Sequence, residues 1–170
     1  EEKFDMTEFT LHTDADFIAF YERHWKYVYR LCFTYMKNAS DAEDCTEDVF
    51  VKVFTGNFSF EDETHERKWL TVTAINHCKD KLKHWWHKEV SSIEESQEIS
   101  AEEQEDHSEV LESVLKLPVK YKDVIWMYYY DGYQTDEIAQ LLNRPPSTVR
   151  NQLKDARNLL KKQLERGDMR

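Results

Sequence analysis

Glycine and proline are scarce in this sequence, and each occurs only three times in 170 residues. A sheet-rich fold needs many tight turns that depend on these two residue types, so their scarcity argues against a large β-architecture. Hydrophobic residues make up 40% of the chain and aromatic residues 14%, which is enough to build a buried core. The sequence therefore predicts an all-α protein.

Cysteine is also rare, and long apolar runs are missing. Cys32, Cys45 and Cys78 are an odd number with no close pairing motif, which favours packing in a reducing compartment over a disulfide framework. No apolar stretch approaches the roughly 20 residues of a membrane span. The N-terminus lacks the basic-then-apolar layout of a secretion signal. We expect a cytoplasmic protein without direct membrane insertion.

The net charge of −11 is distributed unevenly along the chain. Residues 89–113 contain ten acidic residues and no lysine or arginine, and residues 40–56 carry a local charge of −4. By contrast, residues 64–88 carry +4 and residues 144–166 carry +5. A single run of like charges usually indicates only a helix face or loop that is exposed to solvent. The alternation of acidic and basic segments, however, indicates two nucleic-acid contacts and at least one different partner.

The acidic composition of residues 89–113, nearly free of aromatics, is typical of a flexible linker. It separates a predicted N-terminal helical domain, residues 1–88, from a C-terminal helical domain, residues 114–170. Ser40 with Glu43 predicts a capping box for one helix, and Thr135 predicts the N-cap of another. Hydrophobic periodicity predicts helices over residues 14–36, 40–56, 64–88, 108–115, 119–130, 135–142 and from about 146 onward.

The last two predicted helices form a helix-turn-helix. Residues 143–146 end the first of them, because proline fits a helix only in its first turn. The second helix has an apolar face and an opposite face of polar and basic residues, namely Ser147, Arg150, Asn151, Lys154 and Arg157. Such a helix can enter a DNA major groove and reach phosphates and base edges. The alternative is an ordinary helical hairpin with a solvated basic face.

Five stretches, in their order and spacing, resemble the extracytoplasmic-function (ECF) sigma factors, the two-domain branch of bacterial RNA polymerase sigma subunits. The stretches are residues 41–54, 69–76 with Asp80, 117–133, 137–139 and 147–150. The resemblance extends over residues 17–164, and the ordered set carries it rather than any single motif. It implies two small helical domains, with core RNA polymerase and promoter DNA as partners. It also implies an anti-sigma factor as a regulator, and no cofactor.

The resemblance assigns roles to three surfaces. The acidic helix would dock on the clamp of the largest polymerase subunit through Asp44, Glu47, Asp48 and Phe50. The third helix and the loop before it would melt and read the minus-10 element through Phe58, Phe60, Asn76, Lys79, Lys83, Trp85 and Trp86. Melting requires aromatic surfaces for unstacked bases and cations for the strand. The last helix would read the minus-35 element through Ser147, Thr148, Arg150, Asn151, Lys154 and Arg157.

Three residues depart from the family pattern, since Ile75, Gln152 and Asp155 stand where basic residues are frequent. The linker resembles the connector that passes through the nucleic-acid channels of the polymerase. Its carboxylates would there act as an RNA mimic, and a plain soluble tether is the equally supported alternative.

Two other functions are open to such a chain. A stand-alone helix-turn-helix regulator that binds an operator as a dimer would leave the acidic helix and the melting segment without a role. A metal-dependent nuclease would need a nucleophile, a phosphate-cradling loop and a complete ligand set. His84 and His87 have no second pair of ligands beside them. The sequence therefore predicts a sigma factor that is not an enzyme and holds no metal.

Overall fold

The computed structural model describes residues 9–10, 13–89 and 109–167. The helices in these ranges are α1 (Asp14–Met36), α2 (Ala39–Thr55), α3 (Glu63–Glu89), α4 (Glu109–Leu115), α5 (Val119–Ile125), α6 (Thr135–Leu141) and α7 (Pro146–Gly167). A π-helical turn, Trp126–Tyr130, follows α5. The two-residue strands β1 (Phe9–Thr10) and β2 (Ser59–Phe60) pair antiparallel. The predicted all-α class is confirmed.

The predicted linker falls mainly on residues 90–108, which lie outside the described residues. Its last part is helical, because α4 begins at Glu109. No helix within the described ranges is both long and apolar enough to cross a membrane.

The N-terminal unit consists of α1, α2 and α3 packed around one core. Thr13 and Asp16 form a capping box that starts α1, with the Thr13 hydroxyl accepting from the Asp16 amide at 3.1 Å. Phe20, Leu31 and Leu70 are fully buried between the three helices. The burial of these large apolar side chains stabilises the unit, and it fixes which faces of α2 and α3 point outward.

The three cysteines come one from each helix of this unit. Cys32 of α1, Cys45 of α2 and Cys78 of α3 are free thiols that are fully buried. Hydrogen bonding to the other two thiols, together with burial, raises the pKa of Cys78 above its ordinary value. The thiols therefore serve as small core side chains, as the sequence predicted.

A buried polar cluster joins α1 to α3. The Glu66 carboxylate is 3% exposed and accepts from the Arg23 guanidinium at 2.8 Å, and it lies 2.6 Å from His24 Nε2. Burial lowers the pKa of His24, although the neighbouring Glu66 carboxylate opposes that shift. The pairing satisfies a carboxylate that would otherwise be costly to bury.

Two predicted helix caps are corrected by the structure. Asn38 rather than Ser40 caps α2, because its Oδ1 accepts from the Asp41 amide at 2.9 Å and the helix starts one residue before Ser40. Gln134 rather than Thr135 caps α6, in a capping box with Glu137. In both places the chain turns into the helix one or two residues earlier than the hydroxyl residue. The Asn38 side chain therefore reaches a free amide of α2, and the Glu137 carboxylate accepts from the Gln134 amide at 2.9 Å.

The C-terminal unit consists of α4 to α7. Ile138 of α6 and Val149, Leu153 and Ala156 of α7 are buried, and α7 packs along α4 and α5. Gly132 has φ of +74°, a conformation that other residues adopt only with strain, and it reverses the chain between the π-helical turn and α6. The predicted single helix over 119–130 is therefore an α-helix that widens into a π-helical turn at Trp126.

Lys122 connects the two units at their centre. Its side chain is 1% exposed, and its ammonium nitrogen donates to the backbone carbonyls of Thr34, in the last turn of α1, and Leu115, the last residue of α4. It therefore caps the carbonyl ends of two helices, one in each unit. Burial, with repulsion from the Lys37 ammonium, lowers the pKa of Lys122 from 10.5 to about 7.

The stability of the protein should rise between pH 7 and pH 9 because of Lys122. Unfolding returns this amine to a pKa near 10.5, so in this pH window the unfolded state binds more protons than the folded state. The free energy of unfolding should then increase by on the order of 2 kcal/mol over these two pH units. The Tyr35 ring centre lies 5.9 Å from the amine, and Cys78 opposes the lowering of the Lys122 pKa.

Urea unfolding followed by circular dichroism at pH 7, 8 and 9 measures this effect. Lys122→Met should remove this increase in the free energy of unfolding, while Lys116→Met, at an exposed lysine six residues earlier, should keep it. An equal pH dependence in both variants would contradict the role given to Lys122.

Candidate nucleic-acid interface

The helix-turn-helix of α6 and α7 is present as predicted, and internal polar contacts set its turn. Asn143 lies in the left-handed region with φ of +52°, and Pro146 is the first residue of α7. The Arg144 guanidinium donates to Asp123 at 2.6 Å and to the Gln152 side chain at 3.0 Å. These bonds fix the angle at which α7 leaves the turn. They also engage the Gln152 side chain in a hydrogen bond within the protein.

The outer face of α7 presents most of the residues predicted to read the minus-35 element. Ser147, Arg150, Asn151 and Lys154 are exposed, and Thr148 is half-buried. They face away from the buried Val149, Leu153 and Ala156, as the helical period requires. Asp155 is exposed beside them, so this face carries one negative charge among its cations.

Arg157 is exposed but engaged with aromatic side chains of the π-helical turn. Its Nε donates to the Tyr129 hydroxyl at 2.5 Å, and its guanidinium lies 5.1 Å from the centre of the Tyr128 ring. The bond to Tyr129 raises the pKa of Arg157. The sequence did not reveal this contact, because the partners lie 28 residues apart. Arg157 belongs to an arginine–tyrosine cluster at the edge of the recognition face.

The outer face of α3 carries the second set of predicted contacts. Asn76 and Lys83 are exposed, and Trp86 is 67% exposed. Trp85 is half-buried, with the Lys81 ammonium 5.8 Å from the centre of its ring. A free indole beside lysines offers both the stacking surface and the cation that an unpaired base and its phosphate require.

Two of the residues predicted for this surface are placed elsewhere. Lys79 forms an ion pair with Asp123 of α5. The Phe60 ring is 1% exposed and stacks on Phe20 at 5.7 Å, so the prediction that it receives a base is corrected. Phe60 ends β2 with its side chain directed into the core, where a large apolar ring is most stable.

Phe58 is half-buried against Phe60 and Trp69. Gly56 permits this arrangement, because a Cβ on Gly56 would lie 2.1 Å from the Phe58 ring. Of the two aromatic residues in the loop before α3, Phe60 is buried and Phe58 keeps part of its ring exposed.

The acidic helix α2 exposes Asp44 and Glu47, as the docking prediction requires. Asp48 is half exposed and lies 2.9 Å from His77 Nε2 and 3.9 Å from the Lys81 ammonium, so it is partly neutralised by α3. Phe50 is 2% exposed and packs edge-on against Tyr21. The prediction that Phe50 contacts a partner is thus corrected, because its ring is part of the core.

Sequence reasoning missed an apolar group that lies beside these acids. Val51 is 56% exposed and Phe54 62% exposed, and the Phe54 ring meets Phe17 of α1 at 5.0 Å. Asp44, Glu47, Val51 and Phe54 follow each other at three- and four-residue spacing, which places them on one face of α2. We call this face the acidic-apolar stripe. That spacing is the signal from which it could have been found.

Both halves of the chain match descriptions of known protein families. Residues 20–87 match Sigma-70 region 2, and residues 107–160 match Sigma-70 region 4. The first match covers most of α1 to α3, and the second covers α4 to α6 and most of α7.

Relatives and solved structures agree with these matches. The chain is 28% identical over 167 residues to the ECF RNA polymerase sigma factor SigW of Bacillus subtilis, covering 88% of each chain. It is 23% identical over 161 residues to the ECF sigma factor SigM of Mycobacterium tuberculosis, covering 92% of this chain and 82% of the relative.

Among solved structures, the fold is similar to that of the sigma factor RpoE in its complex with the anti-sigma factor NepR from Bartonella quintana. The TM-score is 0.67 at 16% identity, with 88% of this chain and 97% of the other covered. CnrH in complex with the cytosolic domain of CnrY is also similar, with a TM-score of 0.59 at 18% identity over 91% and 90% of the chains.

Both matched regions occur in this chain, with region 2 before region 4. They coincide with the two helical units that carry the exposed cationic faces of α3 and α7. The relatives align over most of their length and of this chain. The chain belongs to the ECF group of sigma-70 RNA polymerase sigma factors.

Proposed function

We propose that this protein binds core RNA polymerase and directs it to a specific class of promoters. One observation carries the proposal: the sigma-70 regions 2 and 4 coincide with the helical units that expose Trp86 on α3 and a cationic face on α7. The chain would bind and position, and the polymerase would supply the chemistry. Its place of action would be the cytoplasm, where polymerase and template meet.

The acidic-apolar stripe of α2 is the surface we assign to the polymerase. Exposed apolar side chains next to carboxylates suit a partner surface that is both basic and apolar. Val51 and Phe54 would supply the desolvated centre of the contact, and Asp44 and Glu47 its charged rim. Asp48 would contribute less, because His77 and Lys81 already face it.

The faces of α3 and α7 are the surfaces we assign to promoter DNA. Trp86 would stack on an unpaired base of the minus-10 element while Lys83 holds the adjacent phosphate, and Asn76 would read a base edge. On α7, Arg150 and Asn151 would face base edges in the major groove, and Lys154 would contact phosphate. The net charge of −11 gives little long-range attraction to DNA, so recognition would depend on the polymerase.

An anti-sigma factor is the regulator that we expect for this chain. Both similar solved structures are complexes of sigma factors with such proteins, NepR and CnrY. A stand-alone operator-binding regulator is the less supported function, because it would give no role to region 2 or to the acidic-apolar stripe.

Lys154→Ala should reduce promoter-dependent transcription without changing core binding. Loss of one phosphate contact should weaken promoter binding by the polymerase complex and lower the salt slope of log K by about 1. Transcription in vitro and DNA binding at several salt concentrations measure this. Lys162→Ala, at an exposed lysine two turns further along α7, is the matched control. An unchanged salt slope for Lys154→Ala would argue against the phosphate contact.

Glu47→Arg should weaken binding to core polymerase roughly tenfold or more, because it places like charges against each other at the contact. Fluorescence anisotropy of labelled protein titrated with core enzyme gives the affinity. The same reversal at Glu112, exposed on α4, should leave the affinity unchanged. Equal affinities for the two variants would remove the stripe from the polymerase contact.

Trp86→Ala should impair promoter opening more than promoter binding. Base stacking on an aromatic ring contributes about 1–3 kcal/mol, and it is available only after strands separate. Permanganate reactivity of thymines in the polymerase–promoter complex should therefore fall, while gel-shift affinity changes little. His87→Ala, at the next exposed position, serves as the control. Normal permanganate reactivity in Trp86→Ala would contradict the assignment.

A further inference from the structure

One side of α7 carries a row of exposed cations. Arg150, Lys154 and Arg157 follow each other at spacings of four and three residues, which places them next to each other along the helix. Asp155 is two residues from Arg157, and at about 100° per residue its carboxylate lies on the opposite side. We call this row the cationic edge. Over its length it offers positive charge to a partner without an acidic side chain of α7 on the same side.

Arg157 is held in place by two tyrosines of the π-helical turn. Its Nε donates to the Tyr129 hydroxyl at 2.5 Å, and its guanidinium carbon lies 5.1 Å from the Tyr128 ring centre and 5.5 Å from the Tyr129 ring centre. The two rings meet edge to face, with centres 5.0 Å apart. A guanidinium gains a cation–π contact at such rings, and its planar shape favours one orientation against them. The Arg157 guanidinium is therefore positioned before any partner binds.

The π-helical turn places both tyrosines on the same guanidinium. Adjacent side chains of an α-helix diverge by about 100°, so neighbouring residues do not normally face one group. Tyr128 and Tyr129 do so within the turn Trp126–Tyr130. Turns of this kind are rare and occur frequently at functional sites. Its contact with an exposed arginine of α7 indicates a function at this edge of the helix.

The bond between Arg157 and Tyr129 leaves donors of both residues for a ligand. The bond uses the Nε–H of a guanidinium that carries several N–H groups, and Arg157 is exposed. Tyr129 is 57% exposed, and its hydroxyl accepts this bond without using its own proton. Accepting from a cation makes the hydroxyl a stronger donor, because linked hydrogen bonds polarise each other. A guanidinium N–H beside a phenol O–H suits an anion with more than one acceptor oxygen, such as a phosphodiester.

We propose that Tyr129 and Arg157 form a binding site for one backbone phosphate of duplex DNA. Tyr129 donates its hydroxyl proton to the phosphate and also positions Arg157. The inference rests on the proposed function, which assigns a phosphate to Lys154, one turn earlier on the cationic edge. A phosphate contact fixes the position of a protein on the duplex and carries no sequence information directly. The site therefore contributes affinity and register, and the bases are read elsewhere on α7.

Tyr129→Phe should weaken binding of the polymerase complex to promoter duplex roughly fivefold, because it removes a donor to an anion and releases Arg157. The substitution keeps the ring and the net charge. Tyr130→Phe is the matched control, at an exposed tyrosine of the same turn whose hydroxyl accepts from Arg30 at 3.2 Å. Gel-shift titration gives the affinities, and circular dichroism establishes that each variant is folded. Equal affinities of Tyr129→Phe and the parent would contradict the site.

Arg157→Lys tests whether charge alone is sufficient. Lysine keeps the positive charge but lacks the planar fork that can bond a tyrosine and a phosphate together. Its affinity should fall about as far as that of Tyr129→Phe, while the salt slope of log K is retained. Arg157→Ala should in addition lower the salt slope by about 1. Full recovery of affinity in Arg157→Lys would show that any cation is enough and would remove the positioning role of Tyr129.

Replacement of single backbone phosphates by uncharged methylphosphonates locates the contact. With the parent protein, one position beside the minus-35 element should weaken binding. Tyr129→Phe and Arg157→Ala should both abolish the effect at that same position, and Tyr130→Phe should keep it. Identical methylphosphonate profiles for the parent and both variants would overturn the proposal.

Transcription with core polymerase, measured in parallel, separates this inference from the proposed function. The methylphosphonate profile is recorded for the polymerase complex and for the free chain at low salt. Promoter-directed transcription with an unchanged profile in Tyr129→Phe would leave the sigma role standing and remove the site. A profile altered by Tyr129→Phe, without promoter-directed transcription by the parent, would remove the sigma role and leave the site. Absence of DNA binding in both forms would overturn both.

Discussion

The burial of two adjacent charged residues, Lys122 and Asp123, is the constraint on which the arrangement of the two units depends. Each side chain has almost no exposure to solvent, so its charged group needs partners inside the protein. Lys122 donates hydrogen bonds to carbonyls at the ends of α1 and α4, and Asp123 forms ion pairs with Lys79 and Arg144. The bonds to Thr34 and Lys79 require that the C-terminal unit lie against the N-terminal unit, whereas those to Leu115 and Arg144 lie within the C-terminal unit. Each of the two buried charges therefore has one partner in each unit.

The polar contacts that Lys122 and Asp123 make between the units, which we call the polar seam, accompany an apolar core that the two units share. The C-terminal unit spans about 60 residues, a size at which a lone core gives marginal stability. Its residue Trp126 packs against Tyr27 of α1, with ring centres 5.9 Å apart, so part of its burial comes from the N-terminal unit. A seam of charged and hydroxyl groups tolerates water better than a wholly apolar one, since each group can exchange its protein partner for solvent.

The surfaces assigned to partners lie outside this seam, except for Lys79. The acidic-apolar stripe, the Trp86 region and the outer face of α7 are all exposed while the units are packed. Lys79 has two uses that exclude each other, as an internal counter-ion for Asp123 and as a DNA contact. Arg144 and Gln152, by contrast, have settled internal roles in shaping the helix-turn-helix turn. Gln152, where the resemblance predicted a basic residue, thus accepts a hydrogen bond inside the protein.

The sequence by itself determined the helices, their order, the helix-turn-helix and the separation of charge, because these depend on local periodicity, proline placement and composition. It also determined the family, through motifs that keep their spacing. Only the tertiary structure decided which aromatic residues are core, since Phe50 and Phe60 are buried by helices and a strand that no local pattern brings together. It likewise decided the caps at Asn38 and Gln134 and the exposure of Val51. A hydrogen bond joins Tyr27 to Asp131 across 104 residues. Such contacts depend on how one unit packs on the other, and local sequence patterns do not predict contacts between residues so far apart in the chain.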